Sequence, residues 1–437
     1  MSAARRRVLL LTYFFPPIGG AGAQRSAQLA RYLPELGYDP VVVTGPGSPD
    51  YHWTPVDDAM TAGIPSSVAV HRVPAPEPPR SSGRRERAER WLRLRSEWQR
   101  WWLAGALRAA REVGEVDLVH ATLAPYETAD AALAVAWALG KPLLVDLEDP
   151  WALDEMRVYP SGLHRRLELR RMRRTLAAAD AVVMNTNEAA ARVRRFPELR
   201  NTLVAAIPNG YDGADFDGES PPSPNGAFRI VHTGSLHTDF GRWLRRRRLA
   251  RRLLGGAAPG VDFLTRSHVF LLDAVERVRA ANPALGSKVE VHLAGPLTAA
   301  DEEVAQQSSS VRAHGFLPHD ETVRLVRSAD LLFLPMHDLP EGRRVSIVPC
   351  KTYEYLASGR PILAAVPDGD ARDLLAEADG TFLCRPADTG AIAAAVAAEL
   401  ERWSSGTPTR ARRDDVVRRH EARAIVRDVA AVYATLH

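Results

Sequence analysis

Three places in this sequence combine residue types and spacings that can do chemistry. The first is Gly19, Gly20 and Gly22, in the loop PPIGGAGAQR between an apolar run and a helix-like segment. Glycines at a strand-to-helix turn let backbone N–H groups and the helix dipole face an anion, so phosphate or a polar acceptor can sit there. The run lacks the full dinucleotide-binding fingerprint, and a merely tightened turn reads equally well. The second place is Lys351 and Glu354, just before a small-residue turn and a buried strand in KTYEYLASGRPILA. An exposed helix often carries such a pair for about 0.2–0.5 kcal/mol. Only Lys141, Lys288 and Lys351 are lysines among 57 lysines and arginines, so a lysine inside a motif stands out. The third place is His120, ending VDLVHA, and Asp149, in DLEDPW. Both fall at the carboxyl ends of apolar strands, the edge where α/β sheets place ligands. There His120 can meet a ligand, pair with Asp149, or be a hydrogen-bonded structural residue. Asp149 can orient or partly deprotonate a hydroxyl, or cap the turn before Pro150.

The elements that must position these residues follow from the apolar pattern. RVLLLTYFF, the glycine loop, SAQLARYLPELGY and DPVVVTG read as a βαβ start. Continuous apolar strands, unlike alternating ones, indicate a sheet covered on both faces, and the pattern recurs at VDLVHA, KPLLVDL and ADAVVMNT. After TLVAAIPNGYD the composition turns to Gly, Pro, Ser and Asp, as in an interdomain linker. A second strand series follows: FRIVHTG, VEVHLAG, ADLLFLP, RPILAAV and GTFLCRP. The expected architecture is two Rossmann-like α/β domains, 1–215 and 228–415, joined by a linker at 216–227. The segment 416–437 has helical apolar spacing and is expected to pack back toward the N-terminal domain.

Composition narrows the function classes. The 437 residues exceed what one core usually supports, and 46% apolar with 25% charged residues excludes wholesale disorder. A net charge of +4, with the excess in arginine clusters, does not describe a general nucleic-acid binder. Cys350 and Cys384 make neither a disulfide framework nor paired zinc spacing, which fits a reducing, cytoplasmic setting. Arg5–Arg7 ahead of Val8–Phe15 superficially suggest export, but the run is short and Pro16 and Pro17 end it. No stretch is long and apolar enough to cross a bilayer. The histidines are scattered and no Asp-x-Asp occurs at a strand end, so no metal is expected. Two arginine-rich segments remain: 84–111, with Trp91, Trp98, Trp101 and Trp102 near one helical face, and 242–252, with Trp243. A helix docked on the sheet, a solvated face, and peripheral contact with an anionic membrane all suit them.

The motifs YFFPPIGGAGAQR, DLEDPW, ADAVVMNT, IPNGYD, HTGSL, VHLAGPL, VRAHGFLPHDETVRLVRSADLLFLP and KTYEYLASGRPILA resemble, in matching order, those of the family 4 retaining glycosyltransferases of the GT-B fold. The resemblance implies two domains facing across a cleft, with a UDP- or dTDP-sugar as donor and a glycan, lipid or specialised metabolite as acceptor. It implies no metal cofactor, no protein nucleophile, and front-face attack assisted by the leaving diphosphate. On it, Glu354 binds the donor ribose hydroxyls, and Arg266 and Lys351 neutralise the diphosphate. Gly19, Gly20, Gly234, Ser235, Ser346, Ile347 and Val348 would complete the donor site. Gly22, Arg25, His120, Asp149 and Trp151 would meet the acceptor, with His120, Asp149, Arg266 and Lys351 as the catalytic set. Two positions depart from the family pattern. Ser346 stands where a first motif glutamate is usual, and Glu148 where an arginine is common. A nucleotide-sugar epimerase of the same fold and a noncatalytic sugar-nucleotide-binding protein remain as alternative readings, the second because of Ser346.

Overall fold

The structure is a computed structural model that describes residues 5–47, 56–74, 76–218, 226–247, 249, 253–409, 411 and 413–436. The chain divides into two compact units. One comprises Met1–Asn209, Leu254–Gly256 and Ala422–His437; the other comprises Gly210–Leu253 and Ala257–Glu421. Part of the 216–227 stretch, 219–225, lies outside the described residues.

In the first unit the apolar runs become parallel strands β1 (Arg6–Leu11), β2 (Tyr38–Thr44), β3 (Ala69–Arg72), β4 (Leu118–Thr122), β5 (Leu143–Leu147), β6 (Ala181–Met184) and β7 (Leu203–Ala206). Their order is β3-β2-β1-β4-β5-β6-β7, all neighbours parallel. The second unit repeats the plan with β8 (Phe228–Thr233), β9 (Val289–Ala294), β10 (Val311–Gly315), β11 (Leu331–Pro335), β12 (Ile362–Ala365) and β13 (Thr381–Cys384), in the order β10-β9-β8-β11-β12-β13. Each sheet reverses its strand order once, between β1 and β4 and between β8 and β11. Ligands of open α/β sheets bind outside the carboxyl ends of the strands at that reversal.

Period-two alternation explains why these strands read as unbroken apolar runs. Leu9, Leu11, Val41, Val43, Val119, Ala121 and Val145 enter one core layer, while Val8, Leu10, Val42, Leu118 and Leu144 enter the other. The second layer is closed by the helix Ala422–Tyr433, through Ile425, Val426, Val429 and Tyr433. The Arg6 guanidinium holds that end of the chain, donating to the Tyr433 and Leu436 carbonyls at 2.9 and 2.8 Å. The preceding turns form a separate short helix, Asp414–Arg418, which belongs to the second unit.

The segment 84–111 is two helices, not one continuous face. Gly83–Leu92 ends at Arg93, whose left-handed backbone (φ 54°) stops the helix, and none of its ten residues is buried. Glu97–Glu112 then begins with a capping box between Ser96 and Gln99. Its Trp98, Trp102, Ala106, Ala109 and Ala110, at helical spacing, are buried against the sheet. Trp91 is left 51% exposed, so the tryptophans divide between core and surface. Ser96→Ala removes the bond that the Ser96 hydroxyl accepts from the Gln99 N–H; it is expected to cost about 1 kcal/mol, read as a Tm lower by about 2–4 °C in a thermal melt. Among the described residues, no helix is long and apolar enough to cross a membrane.

Candidate functional site

In the second unit, the reversal point is built on two glycines and one lysine. β8 ends at Thr233, and Gly234 follows at φ +93° with its N–H donated to the Ala294 carbonyl at 2.6 Å. A Cβ at Gly234 would lie 2.7 Å from the Lys351 Nζ, and one at Gly295 (φ +137°) 2.7 Å from the Gly234 carbonyl oxygen. Only glycine lets the strand ends and the lysine approach this closely. Lys351 opens the helix Lys351–Ala357, and its ammonium donates to the Thr233 carbonyl. From the same helix, the Tyr355 hydroxyl accepts the Thr233 N–H at 2.8 Å. His232 donates from Nδ1 to the Phe333 carbonyl at 3.0 Å, which leaves its Nε2 as an acceptor 3.5 Å from the Lys351 ammonium.

Charge is concentrated here. Burial first, and then the Arg266 guanidinium, lowers the Lys351 pKa to about 7, with Glu354 and Cys350 opposing. Burial, Lys351 and Arg266 hold His232 well below its ordinary value; burial, Arg266 and Lys351 do the same to His237. Burial and Arg266 push His337 down to about 3. Arg266 and a Lys351 about half protonated at neutral pH thus lie among three imidazoles kept neutral, with Glu354 as the countering carboxylate. Fixed positive charge withheld from water is a preorganised site for a polyanion.

Of the residues expected from sequence, the structure brings Gly234, Arg266, Lys351 and Glu354 into this one neighbourhood. Ser235 follows Gly234 and is half-buried. Ser346 is wholly buried, and Ile347 and Val348 are buried beside it. They form a strap anchored by Val345, which donates its N–H to the Asp368 carbonyl at 2.8 Å and bridges to Gly369. His232, His237 and His337 escaped the sequence reading. Their signal was position: His232 lies inside FRIVHTG, His237 in the turn after it, and His337 just after LLFLPM. His337 is wholly buried, stacked 6.0 Å from the Phe263 ring, and neither of its ring nitrogens meets a partner.

The first unit places its candidates differently. Gly20 (φ +89°) caps the helix Ala21–Tyr32 without a side-chain cap bond, and Gly19 is buried behind it. Arg25 of that helix turns inward, donating to Asp146 at 2.6 Å, to the Pro208 carbonyl at 2.8 Å and to Asn209 at 3.3 Å. Asp146 also lies 3.2 Å from His120 Nε2, and His120 Nδ1 lies 2.6 Å from the Tyr433 hydroxyl. Burial would raise the Asp146 pKa, but Arg25 and His120 hold it below the usual carboxylate range. The carboxylate partner of His120 is therefore Asp146, not Asp149. The β4–β5 register pairs His120 with Leu144 and Thr122 with Asp146, so Asp149 lies beyond the strand end. Arg25 and His120, 4% and 1% exposed, form with Asp146 a buried chain inside the first unit.

Trp151, expected to meet the acceptor, has its indole turned inward. Its backbone adopts φ +48°, its indole has no exposed surface, and it stacks on Tyr126 with centroids 5.4 Å apart while donating to Glu168 at 2.9 Å. It holds the turn that presents Asp149, whose carbonyl accepts the Trp151 N–H at 2.8 Å. A groove of about 840 Å³ in the same unit is lined by Arg80, Trp98, Arg157, Tyr159 and Glu168, among others. In the 242–252 cluster, Arg242 pairs with Glu303 at 2.8 Å and Arg245 with Asp262 at 2.5 Å, while Arg248, Arg251 and Arg252 lie outside the described residues. Among the described residues, no group of three or more His, Cys, Asp or Glu could hold a metal ion.

Residues 19–214 match the family model described as Glycosyltransferase Family 4, and residues 263–402 match Glycosyl transferases group 1. No curated protein sequence matches the chain. Among solved structures, it is similar to HepE of Anabaena in complex with UDP and glucose, at 16% identity and a TM-score of 0.62, covering 99% of this chain and 100% of that one. It is similar to a sucrose-phosphate synthase from Thermosynechococcus elongatus, at 16% identity and a TM-score of 0.63, covering 99% of each. A UDP-forming α,α-trehalose-phosphate synthase from Burkholderia vietnamiensis follows at 14% identity and a TM-score of 0.60, covering 98% of this chain and 100% of that one. With matched segments in both parallel-sheet units, the chain belongs to the family 4 glycosyltransferases of the GT-B fold and is an enzyme of that class.

Proposed function

We propose that this enzyme transfers a hexosyl or deoxyhexosyl group, with retention and without a metal ion, from a UDP- or dTDP-sugar to a hydroxyl of a glycan, lipid-linked glycan or specialised metabolite. The observation that carries this reading is the pairing of Lys351 with Arg266 among three neutral histidines at the reversal point of the second sheet. A nucleoside diphosphate supplies the negative charge that such a site lacks. Lys351 and Arg266 neutralise the departing diphosphate, doing with side chains what a divalent ion does elsewhere. Glu354 accepts hydrogen bonds from the two ribose hydroxyls. The leaving diphosphate assists attack on the same face, so the protein positions and neutralises rather than forming a covalent bond. Asp149 orients the acceptor hydroxyl from the first unit, and the buried Arg25–Asp146–His120 chain fixes the strand ends on either side of it. The UDP in the HepE structure and the UDP-forming activity of the trehalose-phosphate synthase support the choice of nucleotide. A cytoplasmic, bacterial enzyme resting peripherally on an anionic membrane face accords with the unburied helix Gly83–Leu92 and its exposed Trp91.

A thermal-shift screen of nucleoside diphosphates and their sugars tests the reading, because a ligand that binds only the native state raises Tm. UDP or dTDP is expected to stabilise the chain and the matching purine nucleotides not to. Glu354→Ala is expected to weaken UDP binding by about 2 kcal/mol, roughly thirtyfold in Kd by calorimetry, while the unliganded Tm stays within about 2 °C. Unchanged UDP affinity in that variant counts against the assignment. Donor consumed with no acceptor present, giving an epimerised sugar, replaces transfer with epimerisation.

A further inference from the structure

At the carboxyl end of β5, two buried acceptor atoms meet no donor. Glu148 is 8% exposed and its Oε1 has no hydrogen-bond partner; Asn185 is 2% exposed and its Oδ1 has none. They are neighbours, because β5 and β6 pair through Leu147 and Met184, and the Asn185 amide donates to the Glu148 carbonyl. The amide nitrogen being so used, it is the oxygen that is left over. Glu148 also lies against the first turn of the helix Ala21–Tyr32: a Cβ at Gly22 would be 3.9 Å from its Oε2 and 3.4 Å from the Phe14 ring. In the chain, Glu148 stands between Asp146 and Asp149. The buried guanidinium nearby, Arg25, is committed to Asp146 at 2.6 Å, and Arg157 lies over the Tyr126 ring at 4.6 Å. Two orphaned acceptors, one of them a carboxyl among carboxyls, suit a ligand group that brings several N–H donors and positive charge.

We propose that the acceptor is a hydroxyl compound carrying a protonated amine, such as an amino sugar or aminocyclitol, and that Glu148 with Asn185 is the pair that recognises its ammonium. This rests on the glycosyltransfer reading above and narrows its acceptor class. An ammonium supplies up to three donors for Glu148 Oε1, Asn185 Oδ1 and one further oxygen, and it offsets the local excess of carboxylates. The same excess raises two carboxyl pKa values. Burial, then Asp146 and Asp149, pushes the Glu148 carboxyl well above the usual range against the pull of Arg25, and burial with Asp149 pushes Asp154 up to about 7. Glu148 is a specificity-determining residue on this account. The attacked hydroxyl belongs to a neighbouring carbon of the same acceptor, within reach of Asp149.

The test compares glucosamine and 2-deoxystreptamine with N-acetylglucosamine and di-N-acetylated 2-deoxystreptamine as ligands of the full chain saturated with UDP. Thermal shift and competition calorimetry are the readouts. The amines are expected to bind at least tenfold more tightly than their acetylated forms. Glu148→Gln is expected to bring that ratio within about threefold while the Tm rise caused by UDP persists, which shows that the variant is folded. Glu148→Asp, which keeps the charge, retains part of the preference. Equal binding of amine and acetylated ligands by the parent protein, or an undiminished preference in Glu148→Gln, overturns the proposal while the nucleotide reading stands. If UDP itself raises no Tm, the nucleotide reading falls, and this inference falls with it.

Discussion

Replacing Lys351 by methionine is expected to lower kcat/KM about a thousandfold while the Tm of the unliganded protein stays unchanged or rises. The two effects separate because the ammonium serves the ligand rather than the fold. In the folded chain burial and Arg266 bring its pKa down from 10.5 to about 7. A base whose pKa is lowered on folding destabilises the native state. That cost is fully present below pH 7 and disappears as pH rises toward the unfolded value. Methionine keeps the stem and removes the charge, so any gain in Tm should be larger at pH 6 than at pH 9. Binding of a diphosphate reverses the shift, because an opposite charge favours the charged ammonium. UDP affinity should therefore be greatest near pH 6–7, where its terminal phosphate, with a second pKa of about 6, is largely ionised and Lys351 still protonated. It should fall by up to about tenfold per pH unit above 7. Calorimetry in two buffers of different ionisation enthalpy should detect close to one proton taken up per UDP bound at pH 8. A thousandfold loss of activity accompanied by a large loss of Tm would instead make Lys351 a structural residue.

Arg25→Met is expected to cost about 3–5 kcal/mol and to lower Tm by roughly 10 °C, seen in calorimetric or fluorescence melts. Arg25 and Asp146 are 4% and 0% exposed and 2.6 Å apart, so removing the guanidinium strands a carboxylate in the core. The pH dependence distinguishes this cause from lost packing. In the parent protein the Asp146 pKa is depressed. Its contribution is therefore present above the unfolded value of about 3.9 and is lost as pH falls through the folded value. Without Arg25, burial dominates and the carboxyl pKa rises, so the variant's deficit should be largest near neutral pH and shrink toward pH 5 as Asp146 takes a proton. Arg25→Met combined with Asp146→Leu should recover much of the loss, since an apolar pair of similar volume often replaces a buried ion pair at little cost. A deficit independent of pH, or no recovery in the double variant, would assign the effect to packing around the helix Ala21–Tyr32.

Burial pattern is local, and it is what the amino-acid sequence by itself determined. Strands whose two faces both enter the core leave unbroken apolar runs, and β1, β2, β4, β5, β8, β9, β11 and β12 were all legible on that ground. The strands β3 and β10 were not. Each pairs on one side only, and their residues AVHR and VRAHG are largely exposed, so the run of apolar letters that marks a doubly covered strand is missing. The glycine turn and the KTYEYLA helix were legible because Gly234 and Lys351 sit in short motifs whose spacing is set by one turn of backbone. Proximity between distant segments was decided only by the tertiary structure. It gave His120 the carboxylate of Asp146 and the hydroxyl of Tyr433, 313 residues away. It sent Trp98, Trp102 and Trp151 inward while leaving Trp91 outside, and it gathered His232, His237 and His337 around Arg266 and Lys351. Electrostatic coupling and desolvation depend on distances in space, and a sequence records only distances along the chain.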